Sequence, residues 1–278
     1  MDKEIKMKSA ALFTIDTAKC SRDGLCAADC PTGIITMTEG GPEPIAGARR
    51  LCINCGHCAA VCPHGALTLR TMPLERCPPL PDGWQLTPAQ VEQLLKGRRS
   101  VRSYRREAVP RGVLAKVVDV ARFAPTAGNA QAVRWTVIYD SDGVRRIAGA
   151  VIDWLREASR TPAMAWGQAL VNAWEAGRDL ICRSAPHLIL AHAPEAQAQM
   201  AAADGAIALT FAELAAVSHG LGTCWAGFVM MASARSNTVL ATLNLPAGHK
   251  LLGGMMIGYP KVAYHRIPLR NEPHVTWR

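Results

Sequence analysis

At 278 residues, with 49% hydrophobic and 19% charged side chains, the chain is long enough for one large domain and a small one, and its composition is globular rather than fibrous or disordered. No uninterrupted apolar run reaches spanning length; the best candidate, residues 206–217, contains Glu213 and reads as a buried helix. The formal net charge of +9 suits an acidic redox partner or a phosphate-bearing cofactor, whereas 5% aromatic residues and the lack of a nucleic-acid module argue against nucleic acid.

Seven cysteines in the first 62 residues fall into two copies of one frame. The second copy, Cys52-Ile-Asn-Cys55-Gly-His-Cys58-Ala-Ala-Val-Cys62-Pro63, reads C-x2-C-x2-C-x3-C-P, the run of bacterial two-cluster ferredoxins. The first, Cys20-Ser-Arg-Asp23-Gly-Leu-Cys26-Ala-Ala-Asp-Cys30-Pro31, has the same spacing with aspartate at the second ligand position. Corresponding cysteines stand 32 residues apart, so the region is an internal duplication. Thiolates are soft ligands suited to iron in a sulfide cage, and the cysteine before the proline ligates the other cluster. Cys30, Cys52, Cys55 and Cys58 are therefore expected to hold a 4Fe–4S cluster. Cys20, Cys26 and Cys62 are expected to hold a second. There Asp23 either ligates the fourth iron, keeping 4Fe–4S, or leaves a 3Fe–4S cluster. Zinc is the alternative occupant, because paired C-x2-C motifs also bind it. The N-terminal Met-Asp-Lys-Glu-Ile-Lys has no apolar signal core, which implies a cytoplasmic chain whose clustered cysteines bind metal rather than pair as disulfides. His57, inside a cluster loop, is a candidate for tuning potential by hydrogen bonding.

Along the chain, residues 1–70 read as the cluster domain, with short strands flanking the cysteine loops. Residues 71–86, holding Pro73, Pro78, Pro79, Pro81 and Gly83, read as an extended linker in which Cys77 is a bystander. Residues 87–278 form the second domain. Thr87-Pro88 opens a helix. Leu114, Val117, Val118, Val120 and Ala121 mark another, stopped by Pro125. Residues 135–139 read as a strand and 140–143 as its turn. Helical spacing follows over about 144–181, then a buried strand at 187–192, a long alanine-rich helix over about 200–219, and a core strand at 251–257. Helices alternating with strands make the domain α/β or α+β.

Three segments of this domain carry chemistry. In Arg98-Arg99-Ser100-Val101-Arg102-Ser103-Tyr104, guanidinium forks and a hydroxyl at close spacing suit a phosphate. Ala124-Pro125-Thr126-Ala127-Gly128-Asn129-Ala130-Gln131 is a small-residue loop that lets a flat ligand approach the backbone. Gly220-Leu-Gly222-Thr223-Cys224-Trp225-Ala226-Gly227-Phe228 is a glycine-punctuated turn after a long helix. In this order, with Gly258-Tyr259-Pro260 and Arg266-Ile267-Pro268, they resemble the flavin-dependent nitroreductase family over about residues 87–278.

The resemblance implies an α+β fold, a central mainly antiparallel sheet wrapped by helices, preceded here by the small ferredoxin-like domain. It also implies a homodimer with FMN at the interface. On that pattern Arg98, Arg99, Ser100 and Arg102 hold the phosphate and ribityl chain, and Arg266 reaches the phosphate. Pro125, Thr126, Ala127, Asn129 and Gln131 line the isoalloxazine, and the backbone N–H groups of Ala226 and Gly227 lie near flavin N5. No catalytic side chain is expected, since the chemistry is centred on the flavin. Two departures stand out: Gln131-Ala-Val-Arg134-Trp135 replaces the family's Gln-Pro-Trp, and Tyr264 stands where some members carry lysine. Arg134 is either a surface charge or part of the substrate mouth. Cys224 reads as packing, as do two of Trp154, Trp166 and Trp174, which punctuate the stretch where the family inserts its substrate-covering segment. His187 and His192 read as core-edge residues. The expected function is electron passage from a donor, such as reduced ferredoxin or a reductase, through the clusters to FMN and on to a small organic acceptor such as a nitro compound. The alternatives are an electron relay to a protein partner, or dehalogenating or dehydrogenating flavin chemistry. Direct reaction with NAD(P)H stays open, although no dinucleotide fingerprint is present.

Overall fold

In the computed structural model, which describes residues 11–278, the chain divides into two compact units. The first runs through Gln85 and takes in Gly128–Ala130; the second comprises Leu86–Ala127 and Gln131–Arg278.

The first unit contains β1 (Phe13–Ile15), α1 (Leu25–Ala28), β2 (Ile35–Thr38), β3 (Gly41–Pro44), α2 (Ala48–Leu51), α3 (His57–Ala60) and β4 (Leu67–Leu69). β1 pairs antiparallel with β4, Phe13 opposite Leu69, and β2 with β3. Phe13, Ile34, Ile35, Leu67 and Leu69 form its small core together with the ligand-bearing loops. The duplication reaches the backbone. α1 and α3 lie 32 residues apart, each preceded by a left-handed glycine, Gly24 at φ 77° and Gly56 at φ 79°. Arg22 and Asn54, 32 apart again, take left-handed φ of 58° and 54°. A side chain in that region is strained, so the shared conformation reflects the same tight loop built twice. The linker differs from the fully extended expectation: Leu74–Arg76 closes a 3-10 turn, because its prolines flank rather than occupy those three positions.

The second unit contains α4 (Pro88–Gly97), α5 (Arg111–Ala121), β5 (Arg134–Ile138), α6 (Ser141–Ala158), α7 (Gly167–Glu175), β6 (His187–Pro194), α8 (Glu195–Ser218), β7 (Gly222–Trp225), α9 (Gly227–Ser233), α10 (Asn237–Thr242) and β8 (His249–Gly258). α4 opens on a capping box: Gln90 N–H donates to Thr87 Oγ1 at 3.3 Å, and Thr87 N–H donates to Gln90 Oε1 at 2.9 Å. One four-stranded sheet, ordered β5-β6-β8-β7 and antiparallel throughout, forms the middle layer. Alternation along its central strands sorts the core into two faces. Leu188, Leu190 and Met256 pack with α6, α7, α9 and α10, while Ile189, Ala191, Met255 and Ile257 pack with α5 and α8. The fold is thus α+β, an antiparallel sheet wrapped by helices. By length and composition α8 is apolar enough to cross a membrane, but here it packs against β6, β8 and α5 as a core helix.

Four local expectations change. Residues 140–143 are the start of α6 rather than a free turn, because the Asp140 side chain caps the helix by accepting from Gly143 N–H. The stretch 144–181 is not one helical region: α6 ends at Ala158 and α7 spans only Gly167–Glu175. α8 begins at Glu195, straight out of β6. The glycine-punctuated turn contains strand β7, which its pairing with β8 creates.

His187 locks two segments onto β6. Its Nε2 accepts from Val109 N–H at 2.8 Å, so its Nδ1–H donates to the Tyr139 carbonyl, which fixes the neutral tautomer. Burial lowers its pKa below the ordinary imidazole value, and burial followed by the neighbouring His249 lowers that of His192. Both folded values are depressed, so their contribution to stability is complete above about pH 6.5, the unfolded-state value, and is lost as pH falls below it. The thermal midpoint should therefore be flat with respect to these groups above neutrality and should fall as pH drops below about 6.5. His187→Ala strands two buried backbone groups and should cost about 3 kcal/mol by denaturant titration; a loss below about 1 kcal/mol would contradict the bridging role.

Candidate functional site

Four thiols meet at one cavity of the first unit. Cys30, Cys52, Cys55 and Cys58 line it, with Phe13, Ile34, Ile35 and Leu69 as an apolar wall. Cys20, Asp23, Cys26 and Cys62 line a second cavity. The two are alike in size, as a duplicated frame requires. Each takes three positions from its own copy and one cysteine from the other. Burial pushes the Cys58 thiol up to about 11, and the neighbouring Cys55, Cys30 and Cys52 thiolates add to it. Burial raises Cys26 as well, with Asp23 and Cys20 adding. At Cys30 burial is outweighed by hydrogen bonds from the surrounding backbone and Thr32, and the net shift is downward. Four cysteine side chains lining one apolar cavity, which ionise on metal binding, fit a polynuclear iron core. Among the described residues no three His, Cys, Asp or Glu side chains converge as they would on a single ion; the ligands of a cluster stand around a wider cage.

Asp23 faces the second cavity with its carboxylate already engaged. Ser21 Oγ donates to Oδ2 at 2.7 Å and Leu25 N–H to Oδ1 at 3.0 Å, and these bonds lower its pKa. His57 Nδ1 lies 3.1 Å from Asp29 Oδ2, a link between the two loops. Asn129, in the loop expected to border a flavin, belongs to this unit: its Nδ2 donates to the carbonyls of Ile53 at 3.0 Å and Asn54 at 2.8 Å, the two residues between Cys52 and Cys55.

In the second unit Arg98, Arg99, Ser100 and Arg102 line one basic cavity with Tyr264 and Arg270. The segment is held against β7, where Val101 N–H donates to the Thr223 carbonyl at 2.8 Å. Arg98 is oriented from below, its Nη1 3.3 Å from Oε1 of the buried Glu213, which also accepts from Thr223 Oγ1 at 3.1 Å. Arg102 Nη1 donates to the Ser100 carbonyl at 3.3 Å, and Arg99 folds back on the carbonyls of Lys96 and Gly97. Arg266 is exposed and does not line the cavity; Arg270, four residues on, does. Arg270 and Glu213 were not legible as site residues, since neither belongs to a motif.

The loop after Pro125 is shaped by its own hydrogen bonds. Gln131 N–H donates to Thr126 Oγ1 at 3.0 Å, and Ala127 N–H donates to both oxygens of the buried Asp204, at 3.2 and 3.3 Å. Arg134 Nη1 donates to the carbonyls of Gln131 at 2.7 Å and Val133 at 3.2 Å, which ties down the loop's end. At the glycine turn the two amides part company. Ala226 is buried and its N–H donates to the Gly254 carbonyl at 2.8 Å, whereas Gly227 is the first residue of α9, where a helix leaves its N–H without an internal partner. Cys224 is buried, and burial raises its thiol pKa, as suits a packing residue. Trp154 and Trp174 pack on the core, while the exposed Trp166 stacks on Phe228 at 5.9 Å, one residue beyond Gly227.

Comparison with known proteins places each part of the chain in a family. Residues 95–259 match the nitroreductase family and residues 18–67 a 4Fe–4S dicluster domain. Nitroreductase NfnB of Mycolicibacterium smegmatis is 29% identical over 212 residues, which covers 66% of this chain and 88% of that protein. An NADH dehydrogenase of Thermus thermophilus is 28% identical over 196 residues, covering 65% and 92%. The crystal structure of a nitroreductase with bound FMN from Bacteroides fragilis superposes with a TM-score of 0.55 at 19% identity, covering 68% of this chain and 99% of that one, a likeness of fold. With more than half of its length inside the family match, the chain belongs to the nitroreductase family, an FMN-dependent oxidoreductase fold joined here to an N-terminal domain of the 4Fe–4S dicluster type.

Proposed function

We propose that this protein is an iron–sulfur flavoprotein oxidoreductase that takes electrons from a donor, such as reduced ferredoxin or a reductase, and delivers them to a small organic acceptor such as a nitro compound or another conjugated electrophile. The observation that carries the reading is the crossed ligand sets: two cavities in one small unit, each walled by thiolates from both halves of the duplication. When bound, iron–sulfur clusters carry single electrons and FMN gathers them into a two-electron reduction.

The residues divide the work as follows. Cys30, Cys52, Cys55 and Cys58 hold one cluster; Cys20, Cys26 and Cys62 hold the other, either 4Fe–4S with Asp23 as its oxygen ligand or 3Fe–4S without it. Arg98, Arg99, Ser100, Arg102 and Arg270 surround the FMN phosphate with guanidinium forks and a hydroxyl. Pro125, Thr126, Ala127 and Gln131 border the ring. The Gly227 N–H is the fixed donor for charge that develops at N5, since the Ala226 N–H is taken by the sheet. Trp166 and Phe228 form an aromatic wall beside that turn, suited to a flat conjugated acceptor. A homodimer with FMN at its interface fits the exposed apolar side chains of α8, Met200, Ile207 and Val217. The matched relatives carry different activity names, nitroreductase and NADH dehydrogenase, so the acceptor is assigned only as a chemical class.

Protein purified without oxygen should contain one FMN and about seven to eight irons per chain, with matching sulfide. A value close to seven assigns a 3Fe–4S cluster beside Asp23. Iron without FMN, even after excess FMN is added, would overturn the reading. Cys58→Ser should remove about four irons and leave FMN bound. Arg102→Ala should lose FMN and keep its iron. Many turnovers of a nitroaromatic, with product in proportion to electrons supplied, distinguish an enzyme from a relay.

A further inference from the structure

The long helix α8 is rich in alanine and aliphatic residues, yet two of its inward-facing side chains are carboxylic acids. Asp204 is 5% exposed and Glu213 6%. Burying a carboxylate is costly unless hydrogen bonds and counter-charge compensate it, so each is held by specific partners. Those partners are the two segments assigned to FMN under the proposed function. Glu213 engages Arg98 and Thr223 at the basic cavity. Asp204 engages the Ala127 N–H in the loop that borders the ring.

We propose that Asp204 and Glu213 are positioning residues for flavin binding, one for each end of the cofactor. This rests on the FMN assignment.

At the phosphate end, four arginines line one cavity, and their mutual repulsion favours splayed side chains when no anion is bound. Glu213 offsets part of that repulsion from beneath. It fixes one edge of the Arg98 fork, and a guanidinium has five N–H donors, so donors remain for a phosphate. Thr223 aims the carboxylate, and Thr223 is the residue whose carbonyl anchors Val101. One short stretch of β7 thereby sets both the backbone of the arginine segment and the direction of its first guanidinium. At the ring end, Asp204 fixes the first amide of a turn whose later residues run left-handed, with φ of 56° at Gly128, 53° at Asn129 and 47° at Gln131. A turn in that conformation holds its shape only while its neighbours determine it.

Removing the Glu213 charge has two opposed effects on a bound phosphate. It relieves repulsion of the anion, and it frees Arg98 to rotate. Thr223→Val keeps the Glu213 charge and so reads the ordering effect alone. The test uses the full-length chain, stripped of flavin and retitrated by fluorescence quenching with FMN and, separately, with riboflavin, which lacks the phosphate.

Glu213→Gln should weaken FMN about tenfold, the order of ordering one arginine side chain, and leave riboflavin within about twofold. Thr223→Val, which keeps the charge and removes only the aiming hydroxyl, should weaken FMN by a smaller factor with the same selectivity. Arg98→Ala combined with Glu213→Gln should bind no worse than Arg98→Ala alone, because Glu213 acts through Arg98. Asp204→Asn should weaken FMN and riboflavin by the same factor. Iron content and the thermal midpoint of the flavin-free variants serve as the folding control. Unchanged or tighter FMN binding by Glu213→Gln, or equal loss of both flavins, overturns the phosphate-end role. Loss of FMN alone, or of neither, by Asp204→Asn overturns the ring-end role. Wild-type protein that binds no FMN defeats the underlying FMN assignment; wild-type binding with indifferent variants defeats this inference alone.

Discussion

A Cβ at Gly222 would stand 2.3 Å from Cγ2 of Val101, closer than two non-bonded carbon atoms can approach. That absence of a side chain lets the segment carrying Arg98, Arg99, Ser100 and Arg102 lie against β7, paired at Ser100 with Thr223 and farther on at Tyr104 with Pro260. The rest of the second unit's chemistry follows from this contact. It places the arginines beside the end of α8 that carries Glu213. It holds β7 at the edge of the sheet, so that the chain leaves Trp225 straight into the Ala226–Gly227 turn and α9. Motifs remote in sequence become neighbours because one strand has a position where backbone can meet side chain.

The first unit obeys a different constraint. Its core is small, and eight candidate ligand side chains line two cavities within a fold of short strands. Small domains bury too little apolar surface to be robust without staples, and metal centres are one of the known remedies. Burial raises the thiol pKa values at Cys26 and Cys58, so gathering ionised thiols in this unit costs free energy unless a counter-charge compensates it.

Much of this was legible in the primary structure, and the reason differs from place to place. The ligand frames were legible because cluster loops are local: spacing, left-handed glycines and the repeat of 32 residues all lie within one covalent stretch. The arginine segment, the small-residue loop and the glycine turn were legible through their order along the chain. The secondary structure failed where long-range pairing decides it. β7 exists as a strand because β8, some thirty residues later, supplies its partner, and α6 absorbed the expected turn because the Asp140 side chain folded into a cap.

What the sequence determined by itself is the donor inventory: seven thiols and an aspartate in a cluster frame, and a family pattern of arginine, amide and glycine motifs. Tertiary structure alone decided how those donors are used. It brought Arg270 rather than Arg266 to the basic cavity, spent the Ala226 amide on Gly254, and set Glu213 beneath Arg98 across 115 residues of chain. Such choices turn on a few tenths of an ångström of packing between distant segments, and no local pattern of residues encodes them.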